Sequence, residues 1–278
     1  MNLVIQGPEV ETADLKALAK ISAGSSIERV SDEAFRILDA DPSSREAVAA
    51  HCAEAQLDWG FVEKGRKLAD FALLAMDMDS TLISIECIDE IADFAGRKAE
   101  VAAVTASAMR GEIDWPESLR QRVAALKDLD ESALECVYRD RLRFNPGAEK
   151  LIDAARKVGI KTLLVSGGFT YFTDRIRERL KLDYAYSNVL VVNAGKLAGA
   201  VTGPLVDAQG KAAHVARLKA ELGIPREKVL AIGDGANDLL MLAEAGTSIA
   251  YHAKPVVKSK TDYALDYVGL DGVLSLFR

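Results

Sequence analysis

Three continuous apolar runs punctuate the chain, and each stops abruptly at a polar cluster carrying glycine or an acid. Phe71–Met76 runs into Asp77, Ile160–Val165 into Ser166-Gly167-Gly168, and Val229–Ile232 into Gly233-Asp234-Gly235. Continuous rather than alternating runs predict strands buried on both faces, hence a parallel sheet covered by helices. The segments between them supply those helices. Leu151, Ile152, Ala155 and Val158 form one apolar face closed by Gly159; Phe172, Ile176 and Leu180 recur every four residues. Val215, Leu218 and Leu222 precede Gly223, and Leu239, Leu242 and Ala243 precede Gly246. The predicted fold class is α/β, a doubly wound parallel sheet whose ligands bind at the carboxyl ends of the strands. That arrangement would gather Asp77, Asp79, Ser166 and Asp234 at one rim.

Two segments interrupt the pattern. Residues from about 84 to 144 carry no strand-like run, and spacing such as Leu119, Val123 and Leu126 predicts an inserted helical cap flanked by Ser84 and Pro146. Tyr184–Asn193 and Lys196–Val201 flank Ala194-Gly195 and predict a β-hairpin. The first seventy residues read differently. An apolar run Leu3–Ile5, a helix near Asp14–Ile21, strands at Ile27–Val30 and Ala34–Leu38, a helix from Pro42 to about Gln56, and Leu57–Val62 form a small βαββαβ unit. With Lys64-Gly65-Arg66-Lys67 as a solvated connection, the expected division is 1–70 for this α+β domain and 71–278 for the larger one.

Composition narrows the function. The 278 residues are 49% hydrophobic and 28% charged, and 35 basic against 42 acidic side chains leave a net charge of −7. No excess of positive charge is available for nucleic acid or an anionic membrane surface, although a local basic pocket for a small anion is compatible with it. The apolar runs fall far short of the roughly 18 residues that span a bilayer. The opening Met1-Asn2-Leu3-Val4-Ile5 lacks a basic region ahead of its apolar residues, so the expected location is the cytoplasm. Cys52, Cys87 and Cys136 show no C-x-x-C spacing and are expected as reduced thiols, Cys87 an inert one; His51, His214 and His252 are scattered.

Asp77-Met78-Asp79-Ser80-Thr81 sets two carboxylates two positions apart just beyond a buried strand, and Asp234-Gly235-Ala236-Asn237-Asp238 follows another. Several carboxylates at one rim repel one another, and a divalent cation makes the arrangement tolerable. Hard oxygen ligands without nearby His or Cys point to Mg²⁺, which takes one or two carboxylates with waters and a phosphate oxygen. Ser166-Gly167-Gly168 offers a hydroxyl and open backbone N–H groups at the expected start of a helix, and Lys211, after Gly210, offers a cation.

Asp77-x-Asp79-x-Thr81, Ser166 behind an apolar strand, Lys211, and Gly233-Asp234-Gly235-x-Asn237-Asp238 resemble, in order, the four motifs of the haloacid dehalogenase superfamily of phosphotransferases. More narrowly, the run from Asp77 to Asp89, Met109-Arg110-Gly111, and Ser118-Leu119-Arg120-Gln121-Arg122-Val123 are similar to the phosphoserine phosphatases of that superfamily. The N-terminal unit is loosely similar to an ACT-like domain. The resemblance implies Asp77 as nucleophile and Asp79 as general acid and base. It implies Mg²⁺ held by Asp77, Asp234 and the backbone carbonyl of Asp79, with Asp238 in support. Ser166, Gly167 and Lys211 would bind the phosphoryl oxygens and Asn237 would order the site. Arg122 would take the carboxylate of O-phospho-L-serine and Glu86 its ammonium, with Met109 packing the small side chain; spacing alone does not choose Arg122 over Arg110, Arg120 or Arg139. The expected partner is this small molecule, in the last step of serine biosynthesis, with homodimer formation left open. Two alternatives stand beside it: another phosphatase or phosphotransferase of the superfamily, for example one passing phosphate to homoserine, or a serine-sensing regulatory protein.

Overall fold

The computed structural model describes residues 1–110 and 112–278, the side chain of Met109 excepted. Two sheets organise it. The first is built from β1 (Asn2–Gln6), α1 (Thr12–Ile21), β2 (Ser26–Arg29), β3 (Ala34–Leu38), α2 (Arg45–Ala55) and β4 (Asp58–Val62), in the antiparallel order β2-β3-β1-β4. β1 explains how this sheet is placed. Its Leu3 and Ile5 pack into a small core with Leu15, Leu18, Val48 and Cys52, whereas Val4 joins the large core of the second sheet. A strand buried on both faces ties the two layers together.

The second sheet begins with β5 (Leu73–Met76) and continues, beyond a helical excursion, with further strands. That excursion holds α3 (Cys87–Phe94), α4 (Lys98–Met109), α5 (Trp115–Ala124) and α6 (Ser132–Cys136), the predicted helical cap. Then follow α7 (Ala148–Lys157), β6 (Lys161–Phe169), α8 (Thr170–Leu180), β7 (Tyr184–Asn193), β8 (Lys196–Thr202), α9 (Ala208–Leu222), β9 (Val229–Gly233), α10 (Leu239–Ala243), β10 (Thr247–Tyr251), α11 (Pro255–Lys258), β11 (Tyr263–Leu265) and α12 (Gly272–Leu276). The order is β11-β10-β9-β5-β6-β7-β8, parallel except for the β7–β8 hairpin. β5 and β9 are buried at every residue, as their uninterrupted apolar runs require. The hairpin turns through Ala194 (φ 50°) and Gly195 (φ 77°), the pair of positive φ angles that a two-residue turn between twisted strands needs.

One local expectation is corrected. β6 does not stop at Val165 to give a helix beginning at Ser166; it continues through Ser166-Gly167-Gly168 to Phe169, with a register shift against β7, and α8 starts only at Thr170. Asn188 on β7 holds this bulge by donating to the Gly167 carbonyl (2.8 Å) and accepting from the Val206 N–H (2.9 Å). The cap rests on the hairpin through the Asp128 N–H to Leu197 carbonyl bond (2.9 Å) and the Leu197 N–H to Leu129 carbonyl bond (2.8 Å). No helix among the described residues is long and apolar enough to cross a membrane, and all three cysteines are free thiols.

Candidate active site

Neighbouring parallel strands end at the same level, so β5, β6 and β9 deliver Asp77, Ser166 and Asp234 to one rim. Asp77 follows β5, and its N–H bonds to the Ile232 carbonyl of β9 (3.1 Å). Lys211, in the first turn of α9 and 1% exposed, sits between two acids. Its Nζ is 2.7 Å from Asp77 Oδ1 and 2.7 Å from Asp238 Oδ1. Asp77 Oδ1 also accepts from the Met78 N–H (2.7 Å). Asp79 accepts from the Cys87 N–H (2.8 Å) and from Ser166 Oγ (3.1 Å), and Ser166 Oγ in turn accepts from the Gly168 N–H (2.8 Å). A Cβ at Gly168 would stand 2.9 Å from Asp79 Oδ2 and 2.8 Å from Met78 Cε, so any larger residue would have to displace these side chains.

Asp77, Asp234 and Asp238 each bring a carboxylate oxygen within 4.8 Å of the others, a spacing suited to a metal ion. Their hydrogen bonds separate the three. Asp238 is already committed, with Oδ1 on Lys211 and Oδ2 accepting from the N–H groups of Asp234 (3.1 Å) and Gly235 (2.9 Å). Asp234 accepts from Thr81 Oγ1 through Oδ1 (2.6 Å), and Asp77 uses Oδ1, so each keeps an Oδ2 without a protein partner among the described residues. An all-oxygen donor set of this kind fits a hard divalent cation.

The charges explain why the cluster holds together. Burial raises the Asp77 carboxyl well above the usual range, Asp238 adds to the rise, and Lys211 opposes both. Burial also raises Asp79, against the bonds from Cys87 and Ser166, and it raises Asp234 to about 6. For Lys211 burial would lower the ammonium, but Asp77 and Asp238 outweigh it, so the lysine stays charged.

The cap closes the other side of a cavity of about 150 Å³, lined by Ile88, Trp115, Leu119 and Arg122 opposite Asp77, Gly167 and Asn237. Arg122 is separated from its rivals by its surroundings. Arg110, Arg120 and Arg139 lie at the surface beside Glu112, Glu117 and Asp140, whereas Arg122 lines the cavity and makes only a long bond from Nε to the Ser118 carbonyl (3.4 Å) among the described residues. Asp89 is the acid acting most strongly on its guanidinium, and Asp89 Oδ1 is enclosed without a hydrogen-bond partner among the described residues. Glu86 reaches in from the mouth, its Oε1 accepting from Ser80 Oγ (2.7 Å); desolvation in the cleft, then the charge of Asp79, raises its carboxyl to about 7. The Met109 side chain and Gly111 lie outside the described residues.

Comparison with known proteins agrees with this geometry. The haloacid dehalogenase-like hydrolase family matches residues 71–246, and a domain family of unknown function matches residues 3–48. A phosphoserine phosphatase of Polaromonas sp. is 54% identical over 217 residues, which make up 76% of this chain and 92% of that protein. The chain belongs to the haloacid dehalogenase-like hydrolases, in their phosphoserine phosphatase branch. The crystal structure of a probable phosphoserine phosphatase from Vibrio cholerae superposes with a TM-score of 0.86 at 37% identity, covering 99% of this chain and 86% of that one. A substrate-bound phosphoserine phosphatase superposes at 0.70 with 38% identity, covering 75% of this chain and 99% of its own. Hydrolases of this family use a divalent metal, and the three-aspartate cluster is where one would sit here.

Some residues that shape the site left no trace in the sequence. Asn188 holds the Gly167 carbonyl, and Asn145 donates to the carbonyls of the loop that carries Ser80 and Thr81. A lone asparagine has no spacing to betray it; only the fold brings residue 145 to residue 81. Trp115 was hidden for a similar reason, although its ring leaves no room for a Cβ at Gly167, which would lie 2.9 Å from Cζ2.

Proposed function

We propose that the chain is a Mg²⁺-dependent phosphatase that hydrolyses O-phospho-L-serine to L-serine and phosphate through an aspartyl-phosphate on Asp77. The observation that carries this reading is the pairing of a charge-compensated acid cluster with a cap-side arginine that has no carboxylate partner within ion-pair distance among the described residues. The Asp77 carboxylate attacks phosphorus while the bond from phosphorus to the serine oxygen breaks, and Asp79 gives that oxygen its proton. Water then attacks the aspartyl-phosphate, Asp79 takes a proton from it, and the acyl phosphate bond breaks to restore Asp77. A carboxyl raised by burial suits a group that must begin as a proton donor. Lys211, Ser166 and the Gly167 N–H bind the phosphoryl oxygens, and Asn237 orders that end of the cleft. When bound, Mg²⁺ would be held by Asp77, Asp234 and the Asp79 carbonyl, and would neutralise charge on the phosphoryl group.

Arg122 takes the substrate carboxylate and Glu86 the ammonium, a fork and an anion matched to the two ends of an amino acid. We further assign residues 1–70 as an ACT-like unit distinct from residues 71–278, and the cytoplasm as the compartment. Phosphate release across a panel of phosphorylated amino acids and sugars, with and without Mg²⁺, tests the reading. Phosphoserine is expected to lead the panel and to need the metal; preference for a sugar phosphate would overturn the substrate, and phosphate appearing on homoserine would favour the transferase.

A further inference from the structure

The two segments joining cap to core are laced into a short antiparallel ribbon. Ile83 pairs with Phe144, the Ser84 N–H donates to the Arg143 carbonyl (2.9 Å), and the Asn145 N–H to the Leu82 carbonyl (3.0 Å). The base of the ribbon is a single side chain. Asn145 Nδ2 lies 2.7 Å from the Thr81 carbonyl, 3.2 Å from that of Ile83 and 3.3 Å from that of Ser80. Two N–H bonds thus gather three carbonyls of a sharply bent turn, in which Ser80 takes φ 56°, a region that residues with a Cβ seldom occupy.

Two side chains of the gathered turn reach the active site. Thr81 Oγ1 donates to Asp234 at 2.6 Å, and Ser80 Oγ donates to Glu86 at 2.7 Å. One donates to a proposed metal ligand, the other to the proposed ammonium ligand. We infer that Asn145 is a positioning residue that ties the setting of the cap hinge to both Asp234 and Glu86. A tilt of the cap carries residues 143–145 with it, and the Asn145 amide passes that displacement to the carbonyls of residues 80 and 81. Their hydroxyls then shift together at the two ends of the substrate cleft. The inference rests on the roles proposed above for Asp234 and Glu86.

The test uses Asn145→Ala and the isosteric Asn145→Asp, which lacks the N–H donors. Mg²⁺ affinity is measured by calorimetry without substrate, and KM is measured for phosphoserine and for p-nitrophenyl phosphate, which has no ammonium. Both variants are expected to weaken Mg²⁺ binding about three- to tenfold, at or below the usual effect of removing an outer partner of a metal ligand. Both should raise KM for phosphoserine more than for the aryl phosphate. In a Ser80→Ala background the KM effect of Asn145→Ala should vanish while the Mg²⁺ effect persists. A lowered melting temperature with Mg²⁺ affinity and both KM values unchanged would reduce Asn145 to a structural tie and overturn the inference. If phosphoserine is not hydrolysed, the functional reading falls, yet the Mg²⁺ titration still decides on Asn145.

Discussion

The two walls of the cleft are built on different terms. On the sheet side, Asp238 has both oxygens bonded, Lys211 bridges two acids at 2.7 Å each, and Asp79 accepts from Cys87 and Ser166. On the cap side, among the described residues, Arg122 makes one long bond, Asp89 Oδ1 has no partner, and Glu86 is held through one serine. The sheet wall is held by bonds among its own residues, the kind of fixed arrangement that stabilisation of a highly charged phosphoryl group demands. The cap wall holds its charges through fewer bonds among the described residues. On the function proposed above, chemistry common to phosphate esters would belong to the first wall, and recognition of one ester to the second.

That division can be broken most severely at Asp77. Asp77→Asn is expected to lower turnover at least about 10³-fold on every substrate, as loss of a nucleophile does; wild-type phosphate release from this variant would remove Asp77 from the chemistry. Lys211→Met should cost stability as well as activity. It leaves Asp77 and Asp238 buried without their cation, a loss of about 3–5 kcal/mol seen as a lower urea midpoint. Adding Asp238→Asn should recover part of it, and an unchanged midpoint in Lys211→Met would show the pair is not compensating.

The cap wall should respond more mildly and selectively. Arg122→Ala is expected to raise KM for phosphoserine about ten- to a hundredfold, the ~1.5–3 kcal/mol of a charge-assisted bond, while sparing p-nitrophenyl phosphate. Equal losses on both substrates would move Arg122 to the sheet wall's role.

The smallest effect is expected where the two sheets meet. Asp58 is buried and accepts from the N–H groups of Asp266, Tyr267 and Val268, yet desolvation raises its carboxyl to about 6. A folded value above the ordinary one means the fold favours the neutral acid. Its contribution to stability therefore falls as pH rises from about 4 to about 6, and the cost is complete above that. Asp58→Asn, which cannot ionise, should gain on the wild type in melting temperature between pH 4.5 and pH 7.5; a constant difference would contradict the burial argument.

The sheet wall was also the more legible in sequence, and for the same reason. β5 and β9 are buried on both faces, so their apolar runs are unbroken and the acids behind them stand out. β10 and β11 escaped notice. Thr247 and Ser248 break the apolar run of β10, and Ser248 is tolerated in the interior only because Asp262 accepts from its N–H and hydroxyl, both at 2.8 Å. Glycines at 167 and 168 looked like the start of a helix because a glycine pair marks a turn, whereas the side chain of Asn188 keeps them in a bulged strand. Within the cap, helical spacing could not rank four arginines. Only burial against the cleft does so, and burial is a property of the folded chain.

The account depends on Asp77 and Asp234 holding one divalent ion between them. The most direct measurement is an anomalous difference map from crystals of the protein grown with Mn²⁺ in place of Mg²⁺. The account predicts a single strong peak at the rim, about 2.0–2.3 Å from Asp77 Oδ2 and Asp234 Oδ2, with Asp238 still on Lys211. A peak bound elsewhere, or an empty rim in crystals whose protein releases phosphate with Mn²⁺, would contradict it.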